Sequence, residues 1–209
     1  MRLALMLPVL LALVSCQSNT IKPTEATDAG LIPGSENPII KKCAKGSAYI
    51  YKQYEIHVEP SPELQGMNIF LYAPEVSGGN PCMLDRKTAS HIISTGETEG
   101  NNFFGGVYKN YLFIDQGTGP DGRILSVYDL SNKKLILLTE YSDPSIKDGI
   151  LTYYKTLVPD SGVIKDIPCP DAGKWKDQGL TVLYEQMETF TLETETRVPV
   201  RQYRCKAGQ

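Results

Sequence analysis

The fold is decided by residues 110–141, which read NYLFIDQGTGPDGRILSVYDLSNKKLILLTEY. Apolar side chains occupy the two faces of three short runs in this stretch, and polar turn residues separate the runs. Such short runs with a period of two, bounded by turn residues, are typical of β-strands. We therefore predict three consecutive antiparallel strands that form a meander. The runs are residues 110–115, 123–130 and 134–141.

Similar short patterns on both sides of the meander predict further strands. Pro199 lacks an amide donor, so its strand should lie at the edge of a sheet. Residues 85–94 suit a short helix capped by Asp85 but also suit a strand, and Asp143-Pro144 resembles the first turn of a brief helix. We predict an all-β fold, a single antiparallel β-sandwich or incomplete barrel with one or two short helical turns. The further strands are predicted at residues 47–58, 67–73, 150–158, 180–193 and 197–205.

The overall charge is close to balanced. The chain carries 21 basic and 24 acidic residues, a net charge of −3 at pH 7. A nucleic-acid-binding protein would show a basic face, so no nucleic-acid partner is predicted. The 12 tyrosines suit either strand interiors or a recognition face, because tyrosine is favoured in both.

The N-terminal segment has the layout of an export signal. Arg2 precedes an apolar run that extends from Leu3 to Val14 and is followed by Ser15. This run is too short for a membrane-spanning helix, which needs about 20 apolar residues. Residues 1–15 are therefore predicted to be a cleaved signal peptide.

Leu13-Val14-Ser15-Cys16 resembles the lipobox of bacterial lipoproteins, which ends in an acceptor cysteine. The resemblance implies that Cys16 becomes the first residue of the mature chain, carries diacylglycerol on its sulfur and is acylated on its amine. Two or more acyl chains anchor a protein stably on a membrane. It thus implies a lipid-anchored protein of the bacterial cell envelope that faces the periplasm. Gln17 is not aspartate, which favours the outer membrane over the inner one.

The segment after the lipobox is polar. Residues 17–42 are mainly serine, threonine, proline, glutamate, lysine and glycine, with few large apolar side chains. Such a composition cannot bury enough surface to offset the entropy lost on ordering. We predict a flexible tether over residues 16–42 and an all-β domain over residues 43–209.

Four cysteines remain when Cys16 is set aside, and an even number predicts disulfides in an exported chain. Four cysteines allow three connectivities. We favour Cys43–Cys82 and Cys169–Cys205, because each pair closes one terminal segment of the domain. A metal or redox site is the alternative, but the sequence has no CxxC motif and its two histidines stand alone. No metal site is predicted.

The loop after the first strand of the meander contains GxGxxG, the fingerprint of dinucleotide-binding loops. That fingerprint binds pyrophosphate only where a helix begins at the loop. A strand follows here, and Pro120-Asp121-Gly122 is typical of a turn, so we predict a loop between two strands and no cofactor. We take it as the candidate partner-contact loop, whose residues are Gln116, Gly117, Thr118, Gly119, Pro120, Asp121 and Gly122.

Other chemistry-bearing residues form no recognisable catalytic set. Asp115, Asp121 and Asp129 lack the spacing of a calcium loop, and the first two are expected to bond to backbone amides in the turn. A serine hydrolase would need His57 or His91 as its base, and no GxSxG motif accompanies them. We therefore predict a protein that is not an enzyme. The carboxylates that leave glycan hydrolysis open as an alternative are Glu185, Glu188 and Glu193.

One further resemblance involves the meander. The strand that ends in Gly117-Thr118-Gly119, the next strand with Tyr128 and the strand at residues 133–141 are similar to the middle of the periplasmic inhibitors of invertebrate-type lysozyme. The likeness covers about a fifth of the chain. It implies a small β-sandwich that pushes a loop into the lysozyme cleft. Asp115-Gln116 and Pro120-Asp121 replace the hydroxyl-bearing residues of that family's loop.

These features lead to one leading hypothesis and three alternatives. The β domain is expected to be a non-catalytic binding module for an envelope protein or glycan, with residues 116–122 as the contact. The alternatives are a cell-wall-directed hydrolase, a lysozyme-inhibitor-like protein, and a structural or assembly lipoprotein that makes its contacts through sheet edges near Pro199.

Overall fold

Thirteen strands and a few short helical turns build the described part of the chain, which in this computed structural model is residues 31–62, 65–74, 80–93, 101–117, 122–159 and 161–208. The strands form three antiparallel sheets, and within each sheet they lie side by side in sequence order. The all-β prediction is confirmed, and the described strands form open sheets with no closed barrel. The predicted signal peptide, Cys16 and the first part of the predicted tether lie outside the described residues.

The first sheet contains β1 (Ile39–Cys43), β2 (Gly46–Ile50), β3 (Glu55–Pro60), β4 (Met67–Tyr72) and β5 (His91–Ile93). The second contains β6 (Asn101–Tyr108), β7 (Tyr111–Gly117), β8 (Arg123–Asp129) and β9 (Lys134–Glu140). The third contains β10 (Ser142–Lys147), β11 (Ile150–Thr156), β12 (Thr181–Thr191) and β13 (Thr196–Gly208). Helical structure in the described ranges comprises 3-10 turns at Pro81–Met83, Arg86–Thr88 and Gly162–Asp166 and the helix α1 (Ala172–Asp177). None of these helical segments has the length and apolar character needed to cross a membrane.

The second sheet lies between the other two and is buried on both faces. In β7, Leu112 and Ile114 pack into a first hydrophobic core shared with the first sheet, and Phe113 packs into a second core shared with the third sheet. All three side chains are fully buried. Because alternate residues of a strand face opposite sides, the continuous apolar run of β7 requires a packed layer on each side.

The predicted meander is confirmed as β7, β8 and β9. Its register aligns one apolar row: Phe113 lies opposite Val127, and Val127 lies opposite Leu137. All three belong to the second core. Cross-strand pairs of this kind stabilise a sheet and fix its register, since a slip of one residue would expose the whole row.

Residues 31–42 belong to the domain, which corrects the predicted boundary of the tether. Ile32 is buried in the second core, and its amide donates to the Gly105 carbonyl over 2.8 Å. The Ile146 amide donates to the Pro33 carbonyl over 2.7 Å. Gly34 has a φ of 90°, and a Cβ there would lie 1.9 Å from the Ile146 carbonyl oxygen. This close approach fastens the segment across the second and third sheets.

Neither predicted helix extends as proposed. Asp85 does cap a turn, since it accepts from the Lys87 amide over 3.0 Å, but that turn lasts only for Arg86–Thr88. The strand alternative holds further on, where Ile93 of β5 pairs with Ile69 and reaches the first core. Burial of this apolar side chain outweighs a weak helix preference.

Asp143-Pro144 lies in β10 and starts no helix. The register between β10 and β11 shifts between Ser142 and Ser145, and Asp143 has a φ of 46°. This bulge sets Asp143 against Arg204 of β13, with which it forms an ion pair. Bulges commonly re-aim a side chain in this way.

Two disulfides close the ends of the domain. Cys43 is bonded to Cys82, and Cys169 is bonded to Cys205. These are the two pairs that the sequence favoured. The predicted C-terminal hairpin is β12 and β13, and β13, which contains Pro199, lies at the edge of the third sheet, as predicted.

Candidate functional site

Two adjoining clefts lie beside the end of β7 and the start of β8, where the 116–122 loop leaves the sheet. They share the side chains of Arg123 and Tyr141. The larger has a volume of about 410 Å³, and the smaller about 280 Å³. Arg123 begins β8 and Tyr141 follows β9, and the Tyr141 amide donates to the Arg123 carbonyl over 3.0 Å. The edge of the β8–β9 pair therefore sets the two shared side chains next to each other. Apolar walls of the larger cleft include Leu31, Pro33, Tyr49, Phe103 and Phe104.

The polar end of the larger cleft is an ion pair between Asp115 and Arg123. The Arg123 Nε atom donates to Asp115 Oδ1 over 3.1 Å, and Nη2 contacts Oδ2. The Asp115 side chain is 9% exposed, whereas that of Arg123 is 50% exposed. The aspartate thus holds the guanidinium by two of its nitrogens and leaves further N–H donors for a ligand.

Tyr141 adds a hydroxyl donor between the clefts. Burial raises the pKa of Tyr141, while a hydrogen bond with Arg123 and the charge of Arg123 act in the opposite direction. Because the net shift is upward, the phenol keeps its proton at neutral pH. It therefore offers a neutral hydroxyl beside the Arg123 cation.

Glu185 forms the inner wall of the smaller cleft, where its side chain is only 1% exposed. It accepts from Ser142 Oγ and Arg204 Nε, both over 2.7 Å, and pairs with Lys206 Nζ at 2.9 Å. The Arg204 guanidinium also pairs with Asp143 and lies 3.7 Å above the Tyr154 ring. Both oxygens of this buried carboxylate are thus occupied, and the charges of the two acids and two bases balance.

The register of the β12–β13 hairpin explains how these charges meet. Glu185 lies directly opposite Arg204, and Lys206 is on the same face two residues further along. Thr191 pairs with Thr196 beside the turn, but the register shifts between Gln186 and Glu188. Without that bulge, Glu185 would face Gln202. Counting from the turn in the sequence therefore misses this ion pair, and no other signal in the sequence reveals it.

The structure describes only three residues of the predicted contact loop, Gln116, Gly117 and Gly122. Gly117 of β7 pairs with Arg123, and Gly122 lines the smaller cleft, so the loop leaves the sheet beside both clefts. Gln116 is buried and donates to Asn102 Oδ1 over 3.2 Å, which makes it part of the sheet interior. The segment Thr118, Gly119, Pro120 and Asp121 lies outside the described residues. As predicted, a strand and not a helix follows the loop.

Several other predicted residues lie away from the clefts or act differently. Asp115 bonds to Arg123, and its expected bond to turn amides stays a prediction because residues 118–121 lie outside the described part of the chain. Asp129 does bind a turn amide, that of Ser131, over 2.9 Å. Glu188 accepts from the Tyr153 hydroxyl over 2.8 Å, and Glu193 is exposed in the β12–β13 turn. These residues do not assemble into one site.

The two histidines also lie outside the clefts. His91 lies in β5, with its ring 6.2 Å from that of Tyr128. His57 is buried on the first sheet beside Cys43. Burial lowers the pKa of His57, and the nearby Glu59 and Glu55 oppose that shift. Neither histidine is among the residues that line the two clefts.

No protein-family model matches the chain, and no curated protein sequence matches it.

We expect Glu185→Ala to lower the free energy of unfolding by about 3 kcal/mol, because it leaves two partly buried cations without their shared carboxylate. The matched control is Glu195→Ala, which removes a carboxylate from an exposed pair with Lys134 and should cost less than about 1 kcal/mol. Urea unfolding of the two variants measures the difference. Equal losses for both variants would contradict the role given to Glu185.

Proposed function

We propose that this chain is a lipid-anchored lipoprotein of the bacterial cell envelope whose β domain is a non-catalytic binding module for an envelope protein or glycan. The lipobox-like Leu13-Val14-Ser15-Cys16 supports the anchor. The observation that carries the binding role is the convergence of two clefts on Arg123 and Tyr141 beside the 116–122 loop. The ligand would lie along this pair and contact the loop.

The walls of the clefts suit a ligand with both apolar and polar faces. Ligand sites typically combine apolar and aromatic walls with a few placed polar groups. Phe103 and Tyr49 supply aromatic surface, and Arg123 and Tyr141 supply donors at one end. Sugar rings and extended peptide segments both present an apolar face edged by hydrogen-bonding groups. Either ligand would fit the proposal.

The hydrogen bonds and ion pairs of Asp115 and Glu185 favour binding over hydrolysis. A catalytic acid or base needs an oxygen that can meet the substrate's proton. Both oxygens of Asp115 contact Arg123, and both oxygens of Glu185 are held by Ser142, Arg204 and Lys206. These acids are therefore better suited to holding cationic side chains in position than to proton transfer.

The lipid anchor is tested by expressing the natural chain and Cys16→Ala in a bacterial host that processes lipoproteins. We expect the natural chain to sediment with membranes and its N-terminal peptide to begin at a lipidated Cys16, since acyl chains hold it there. The variant should lose the lipid and leave the membrane fraction. If mass spectrometry finds that the natural chain has an unmodified N-terminus beginning at Met1, the proposed anchor is wrong.

The binding role is tested with peptidoglycan fragments, envelope oligosaccharides and invertebrate-type lysozyme as probes for the purified domain. We expect at least one probe to bind, and Arg123→Ala to weaken its affinity about tenfold, in line with the loss of a hydrogen bond to a charged group. Tyr141→Phe and the loop pair Gly119→Ala with Asp121→Ala should weaken the same interaction. Isothermal calorimetry measures affinity, and thermal melting checks folding.

Lys134→Ala is the control for Arg123→Ala, because it removes an exposed cation at the opposite end of β9. It should leave affinity unchanged. Equal weakening by Lys134→Ala would show that charge alone is responsible and not the clefts. Turnover of a glycan probe by the natural domain would favour the hydrolase alternative instead.

A further inference from the structure

A second cluster of chemistry-bearing residues lies on the first sheet. Along β3, Ile56 and Val58 face the first core, so Glu55, His57 and Glu59 share the opposite face. These three residues are nevertheless buried, at 4–8% exposure. Burying titratable groups outside the core needs a cover and specific partners.

The cover is the segment with the first two 3-10 turns, and Cys82 links it to β1. The Cys43–Cys82 disulfide joins the first turn to the end of β1. In the second turn, Arg86 pairs with Glu59 and lies 5.4 Å above the Phe70 ring. One covalent bond and one ion pair thus hold the segment over His57.

His57 is oriented with one ring nitrogen on a carboxylate and the other on a sulfur. Its Nδ1 atom lies 3.7 Å from Glu59 Oε1, and its Nε2 atom lies 3.4 Å from Cys43 Sγ. A lone pair on Nδ1 would face the carboxylate and be repelled, so the favoured tautomer carries its proton on Nδ1. The lone pair of Nε2 then faces a disulfide sulfur, which has no proton to donate. In the oxidised protein, the Cys43 sulfur therefore offers His57 Nε2 no hydrogen-bond donor.

We propose that reduction of Cys43–Cys82 creates a Cys2His site for a thiophilic cation of the Zn²⁺ class, with Cys43, Cys82 and His57 as ligands. One ligand atom from each residue already lies within 4.8 Å of the other two. Two thiolates and an imidazole are the ligands that zinc prefers. Glu59 is the positioning residue, because a carboxylate on the second ring nitrogen orients a ligating histidine.

The step is a balanced two-electron exchange. A dithiol reductant attacks the disulfide, the Cys43–Cys82 sulfur–sulfur bond breaks, and the reductant leaves as its own disulfide. The dithiol's two protons pass to the two cysteine sulfurs. Metal binding then displaces both thiol protons into solvent, since thiolates are the ligands. With three protein ligands, a tetrahedral ion keeps one position for water or an outside ligand.

The two sulfurs are within reach of both reagents. Cys43 and Cys82 are partly exposed, and the residue after Cys82, Met83, is 81% exposed. Metal ligation would also replace the covalent link between β1 and the covering segment, so that segment stays attached in both states. The site belongs to the first sheet and does not depend on the proposed binding role of the clefts.

Cys169–Cys205 provides a matched control within the same chain. Its cysteines are partly exposed to a similar degree. Among the described residues, however, the only such grouping of potential ligands is the one at Cys43, His57 and Cys82. Reduction of the second disulfide should therefore open no metal site.

The test uses Co²⁺, a spectroscopic substitute for Zn²⁺, with a phosphine reductant that does not itself bind through sulfur. The test chain is the full chain with Cys169→Ser and Cys205→Ser, and the control chain carries Cys43→Ser and Cys82→Ser. We expect the reduced test chain to bind one equivalent of Co²⁺ with thiolate charge-transfer and tetrahedral visible bands, which Zn²⁺ abolishes. The oxidised test chain and the reduced control chain should show neither band.

Variants of the test chain assign the residues. His57→Phe keeps a ring of similar size and should abolish the tetrahedral visible bands. Glu59→Gln should weaken Co²⁺ affinity about tenfold and keep the bands, as expected for a residue that only positions a ligand. The natural chain, reduced and oxidised, serves as a second comparison that needs no folding of a variant. Absence of bands from the reduced natural chain, or equal bands from test and control chains, would overturn the proposal.

Discussion

The burial of β7 on both faces is the constraint on which the rest of the structure depends. Leu112 and Ile114 need one apolar layer and Phe113 needs another, so a two-layer arrangement would leave one set in water. Fully burying side chains of this size contributes about 2 kcal/mol each. The first and third sheets supply the layers. Residues 31–36 then lie across the second and third sheets, and Ile32 completes the second core.

The two outer sheets, the first and the third, are each fastened by one disulfide that lies close to a group of charged side chains. In β13, Arg204 and Lys206 face Glu185 on one side, while Cys205 between them is bonded to Cys169. The second disulfide thus holds the strand that carries the two cations paired with Glu185. In the first sheet, Cys43–Cys82 fastens the cover over β3. Each outer layer combines a covalent bond with buried charged groups.

Local patterns in the sequence predicted most of the strands, though not β1, β6 and β10, and did not predict how the sheets stack. Alternating apolar residues predicted the meander. The even cysteine count predicted disulfides, and the closing of one terminal segment by each pair favoured the observed connectivity. Residues 31–42 were misassigned because Leu31-Ile32 is a short apolar pair in a largely polar segment, and the burial of Ile32 depends on a tertiary contact. The Glu185–Arg204 pair was missed because a bulge moves the register by two residues. Tertiary packing and bulges leave no period in the sequence.

Native-state hydrogen exchange followed by NMR tests the central claim most directly. If the second sheet is the buried middle layer, the amides of β7 from Leu112 to Gln116 should exchange slowest and only through global unfolding. The paired amides of the edge strands β1 and β13 should exchange faster, through local opening. Exchange of the β7 amides at the rate of these edge strands would contradict the three-layer account.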